Sequence, residues 1–114
     1  MDEHKLLSLF HVAIVSVYFI YIGIYRDTSG KIILKSLFYL GIILFIYHSY
    51  KVYLKLINSK QIWVNLIHIF LVVPLLIYIG YYEENTERKY FELLLMLGFS
   101  SLGYHIYYLL PDKT

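Results

Sequence analysis

Residues 9–25 read LFHVAIVSVYFIYIGIY, and residues 66–82 read LIHIFLVVPLLIYIGYY. Laid over each other at an offset of 57 positions, they share Leu9/Leu66, His11/His68, Val15/Val72, Ile20/Ile77, Tyr21/Tyr78, Ile22/Ile79, Gly23/Gly80 and Tyr25/Tyr82. The same offset carried on to residue 107 adds Leu37/Leu94, Leu40/Leu97, Gly41/Gly98, Tyr47/Tyr104, His48/His105 and Tyr50/Tyr107. That makes 14 identities in 42 gapless positions. Chance in a chain so rich in Leu, Ile and Tyr gives roughly four, so the sequence reads as two tandem copies of one unit. His and Gly are scarce letters here, yet two pairs of each recur.

Composition says where such a unit resides. Of 114 residues, 60% are hydrophobic and 16% charged, with a mean hydropathy of +0.62. A soluble domain sits nearer half apolar with about a quarter charged, so this reads as a membrane protein whose main partner is the lipid bilayer. A spanning helix takes roughly 20 residues, and four of them consume the chain, leaving no room for a soluble catalytic domain. The absence of cysteine removes disulfides, thiolate metal sites and Cys nucleophiles. A net charge of +2, with Lys and Arg scattered around helix ends, offers no patch to nucleic acid. No Ser/His/Asp order, phosphate-binding loop or HExxH pattern is present, and an enzyme is not expected. A single Ala (Ala13) beside 14 Tyr and 7 Phe suggests an AT-rich genome.

The fold expected is all-α, an integral membrane four-helix bundle made of two tandem transmembrane hairpins. Hairpin 1–57 holds spans at about 6–25 and 32–53, and hairpin 58–114 holds spans at about 62–82 and 90–110. Short polar connections make sequential helices antiparallel, so both termini share one side of the membrane. An even number of spans per copy relates the copies by a pseudo-twofold axis along the membrane normal. Pro74 is expected to kink the third span without breaking it, Pro111 and the residues after it to stop the fourth, and His4 to be solvated. Lys5, Lys51, Lys55, Lys60 and Lys113 on the terminal side balance Arg26, Lys31, Lys35, Arg88 and Lys89 on the loop side, so the positive-inside rule assigns no orientation. Glu92 stands where the first copy has Lys35. Trp63, Tyr25, Tyr53, Tyr82, Tyr90 and Tyr108 read as interfacial belts.

Helical spacing picks out two stripes per copy. His11, Val15, Tyr18, Ile22 and Tyr25 form one, repeated by His68, Val72, Leu75, Ile79 and Tyr82. Leu37, Gly41, Leu44 and His48 form the other, repeated by Leu94, Gly98, Ser101 and His105. Gly41 and Gly98 mark the packing face, because small residues let helices approach closely in lipid. His11, His48, His68 and His105 all fall at similar depth near the terminal side, which makes them functional candidates, since intramembrane ionisable groups face an interior or a cavity. Tyr47, Tyr50, Tyr104 and Tyr107 are expected to support that layer with hydroxyls. Three uses are open: a metal (Zn or Cu) or haem site, proton handling, or a purely structural clasp between helices. Ion passage would need a homo-oligomer, because four short helices enclose no wide pore.

The half carrying His68, Pro74, Tyr78-Ile79-Gly80-Tyr81, Leu97-Gly98 and Tyr104-His105-x-Tyr107 resembles short hairpin membrane proteins of large DNA viruses. The other half joins through the internal repeat and departs at Val17, where the second copy has Pro74. The resemblance implies a viral source, with a place in a viral or host-derived membrane. It implies no activity.

Overall fold

The computed structural model describes residues 3–111, the side chain of His4 excepted. The expected solvation of His4, the stop beyond Pro111 and the Lys113 charge therefore lie outside the described residues. Within them the chain is helical, with no strand. Helix α1 covers residues 3–25 as Glu3–Phe10, a π-helical turn His11–Val15 and Ser16–Tyr25. Helix α2 is Lys31–Ile57 and runs one turn beyond the expected end. Helix α3 covers 63–82 as Trp63–Ile67, a π-helical turn His68–Val72 and Val73–Tyr82, and α4 is Arg88–Leu109.

Three stretches, Lys5–Ser29, Lys31–Ile57 and Trp63–Asn85, are long and apolar enough to cross a membrane. Helix α4, at 22 residues, is long enough but carries Ser100, Ser101, Gly103 and His105 in its second half, which lower its apolarity.

The helices that pack together are not the two of each tandem hairpin. One compact unit is Met1–Arg26 with Arg88–Thr114, so α1 lies on α4, and the other is Asp27–Glu87, so α2 lies on α3. Each unit thus combines the first helix of one sequence copy with the second helix of the other. Charge at the loop ends agrees with this choice. A pairing of α1 with α2 would gather Arg26, Lys31 and Lys35, three cations, while Glu83 and Glu92 met on the other side. In the pairing found, Glu83 after α3 lies 3.9 Å from Lys31 at the start of α2; Glu92 accepts from Arg88 at 2.8 Å within α4 itself and so does not bear on the choice of partner. Both cations are exposed, and ion pairs of this kind contribute little stability.

Packing supplies the rest. Leu34, Leu37, Gly41, Leu76 and Ile79 are buried in one unit, and Phe19, Ile22, Phe91, Leu94 and Gly98 in the other. The second stripe read from the sequence is therefore the packing face at Leu37/Gly41 and Leu94/Gly98. The first stripe is buried at Ile22 on α1 and at Val72, Leu75 and Ile79 on α3, but Tyr25 and Tyr82 at the helix ends are exposed, and the buried line on α1 also takes in Ser8, Ser16, Phe19 and Gly23. The π turn shapes the part of that line that precedes it, whereas Tyr25 and Tyr82 lie after it at the helix ends. Ser8 and Ser16 are eight apart, about one residue more than two α-helical turns, and a single π turn absorbs that extra residue. Asn65 and Val73 are buried on α3 with the same spacing.

In α3 the chain passes through Pro74 without a break, and the π turn ends just before it. In α1 the π turn occupies matching positions although Val17 stands where α3 has Pro74. The proline is therefore not what distorts the helix. Arg26 and Glu83 end α1 and α3 with the same backbone angles, φ 50 with ψ −128 and φ 52 with ψ −124.

Candidate functional site

Each π turn begins at a histidine. Its carbonyl accepts an i+5 bond, from Ser16 N–H onto His11 and from Val73 N–H onto His68. Its imidazole turns back along the helix: His11 Nδ1 donates to the Leu7 carbonyl at 2.9 Å, and His68 Nδ1 to the Val64 carbonyl at 2.8 Å. Main chain and side chain of these residues thus both belong to the widened turn. π turns recur at functional positions in helices, and here they fall on two of the four candidate histidines.

The facing helix supplies the second ring in each unit. His11 stacks on His105 with centroids 4.3 Å apart and planes at 26°, and His48 stacks on His68 at 4.3 Å and 14°. All four rings are half-buried. The four histidines of the sequence reading are thus two pairs, one within each unit. Tyr47 and Tyr104 pack edge-on against the rings that follow them, His48 and His105, both at 5.1 Å. Tyr50 and Tyr107 are 59% and 66% exposed, the outermost of the four supporting tyrosines.

Two polar partners were not singled out from the sequence. Asn65, 5% exposed, donates through Nδ2 to His48 Nδ1 at 2.9 Å, while its Oδ1 accepts from Lys55 Nζ at 2.6 Å. Ser8, fully buried, occupies the matching place against His105 Nδ1 at 3.4 Å. Positions 8 and 65 stand at the repeat offset but differ in identity, one residue before the aligned window. The available signal was chemical: an Asn inside an apolar span needs an interhelical partner.

Stacking restricts what the rings can hold. A metal bonded to an imidazole nitrogen lies in the plane of that ring. Two nearly parallel planes about one ring-stack apart meet far beyond the 2.0–2.1 Å of a Zn–N bond, so one ion cannot take both rings of a pair as they stand. A bis-imidazole haem needs its rings on opposite sides of the iron, which a face-to-face stack also denies. In every one of the four rings Nδ1 is engaged with Leu7, Asn65, Val64 or Ser8. Among the described residues no group of three or more His, Asp or Glu could hold a metal ion.

Glycines bring the backbones close enough for these contacts. A Cβ built on Gly80 would lie 2.6 Å from Phe38 Cα, and one on Gly23 would lie 2.6 Å from Leu95 Cβ. Phe38 and Leu95 are themselves matching positions. Gly41 and Gly98 meet Ile77 and Ile20 at 2.8 Å in the same related fashion. The packing role expected for Gly41 and Gly98 holds, and Gly23 and Gly80 make the tighter approach.

The class these features define is an all-helical chain of two-helix units, three of its four helices able to cross a membrane, each unit closed by a stacked histidine pair. No protein-family model, curated protein or solved structure matches the chain.

Proposed function

We propose that the chain is a four-span integral membrane protein, a duplicated 57-residue hairpin, with both termini and the 58–62 connection on one side. Its histidines clasp helices together, and its role is that of a membrane-structural component. The observation that carries this reading is that all four imidazoles are committed inside the fold, by stacking and through Nδ1. Duplication is supported by the recurrence of π turns, loop angles, glycine contacts and histidine stacks at one offset. Helix α4 spans as the least apolar of the four, with His105 and Ser101 half-buried and Ser100 and Gly103 exposed. A metal or haem use of the histidines falls behind because the rings stack.

Two experiments test it. The chain has no cysteine, so single cysteines report topology without background. Thr28→Cys and Asn85→Cys are expected to react with an impermeant maleimide from one side of sealed vesicles, and Gln61→Cys from the other. Reaction of Thr28→Cys and Asn85→Cys from opposite sides, or release of the protein by alkaline carbonate, overturns the four-span reading. Purified protein is expected to carry no stoichiometric metal and no Soret band. Either species, lost in His48→Ala/His105→Ala, would replace the clasp with a ligand site.

A further inference from the structure

We propose that Lys55 holds the imidazole of His48 in a single tautomer, with its proton on Nε2, by fixing which way the Asn65 carboxamide faces. An ammonium carries three donors and no acceptor. Lys55 Nζ reaches Asn65 at 2.6 Å, so the oxygen of the amide must face it. Rotating the amide by half a turn would set Nδ2 against Nζ, donor against donor. The orientation of an amide is ordinarily an assignment from its surroundings, and here the lysine decides it. The NH2 group then faces His48 at 2.9 Å, and His48 Nδ1 must be the nitrogen with the lone pair.

The stacked partner has the opposite form. His68 Nδ1 donates to the Val64 carbonyl, a pure acceptor, so His68 carries its proton on Nδ1. One ring of each tautomer therefore makes up the stack in this unit. Tyr47, edge-on at 5.1 Å, and Lys51, 5.9 Å from the Tyr47 ring, also lie about His48. Neither alters the direction in which Asn65 must face.

In the other unit Ser8 stands where Asn65 does, and Asp112, at the position matching Lys55, lies outside the described residues. The Ser8 hydroxyl at 3.4 Å from His105 Nδ1 can rotate to donate or to accept, so it suits either tautomer. Lys55 is thus a positioning residue for His48, acting through Asn65. The proposal deepens the clasp reading without sharing its fate, because a clasp with mixed tautomers would still join the helices.

The test is 15N NMR of the full-length protein in detergent micelles, labelled at histidine, with each ring assigned by a His→Gln variant. Two-bond 15N–1H correlations separate a nitrogen bearing a proton from one bearing a lone pair. His48 Nδ1 is expected in the pyridine-like range and Nε2 in the pyrrole-like range. Lys55→Arg, still a pure donor, is expected to leave both unchanged. Lys55→Met frees Asn65 to turn and is expected to bring up a pyrrole-like Nδ1 resonance at His48. A pyrrole-like Nδ1 in the unaltered protein overturns the proposal, as does a folded Lys55→Met protein with an unchanged His48 spectrum. Should Lys55→Met fail to fold, the unaltered protein and Lys55→Arg decide alone: lone-pair Nδ1 in both supports the lock, and a protonated Nδ1 in either overturns it.

Discussion

Gly80→Ala is expected to destabilise the protein by about 3 kcal/mol, at the top of the range for overpacking, because the added methyl group meets main chain. Helix propensity alone would make Gly→Ala favourable by about 1 kcal/mol, so the sign of the change reports the contact. A Cβ at Gly80 would sit 2.6 Å from Phe38 Cα, and backbone cannot turn aside as the end of a flexible side chain can. Gly23→Ala, against Leu95 Cβ and its main chain, is expected to cost a similar amount. Gly41→Ala and Gly98→Ala meet a movable isoleucine Cγ1 first, and their cost is expected to be smaller. Gly103 has nothing within 4 Å of its built Cβ, and Gly103→Ala is expected to stabilise. Unfolding in detergent micelles, followed by far-ultraviolet circular dichroism, orders the five variants. Equal effects at Gly80 and Gly103 would contradict the close approach.

His48→Ala is expected to cost about 2–3 kcal/mol, and His105→Ala about 1 kcal/mol, although the two occupy matching positions. Both lose a ring stack worth about 0.5–1.5 kcal/mol. Only His48→Ala also strands a buried donor, Asn65 Nδ2, which Lys55 keeps facing the empty place. An unsatisfied buried donor costs about 1–3 kcal/mol, and the Ser8 hydroxyl escapes that cost by rotating. A double-mutant cycle of His48→Ala with Asn65→Ala isolates the coupling. His105→Ala costing as much as His48→Ala would contradict the asymmetry.

The repeat carried the helical pattern, and the boundaries of all four helices lie within a few residues of those read from spacing. The packing stripe on α2 and α4 was legible because those helices are regular, so Leu37, Gly41 and His48 stay on one face. On α1 and α3 the stripe was legible at Ile22, Val72, Leu75 and Ile79 but not before the π turn, which brings Ser8 and Asn65 to the buried face and which nothing in His11–Val15 announces. Partner choice was also hidden. Periodicity says which face of a helix is buried but not against which helix, and one ion pair between helices, Lys31 with Glu83, goes with the pairing found. The histidines were found because they recur. Ser8 and Asn65, which bind them, escaped because the copies differ there.

Each two-helix unit draws one helix from each sequence copy. Phe19 Cβ lies 3.2 Å from a Cβ built on Gly98, and Leu76 Cβ lies 3.4 Å from one built on Gly41, close to the span of a disulfide. Phe19→Cys/Gly98→Cys and Gly41→Cys/Leu76→Cys, each with a protease site placed in the 58–62 connection, are to be oxidised in isolated membranes and then cut. The two halves of either protein are expected to stay joined on a non-reducing gel and to part on reduction. Halves that separate without reductant in both proteins would contradict that pairing.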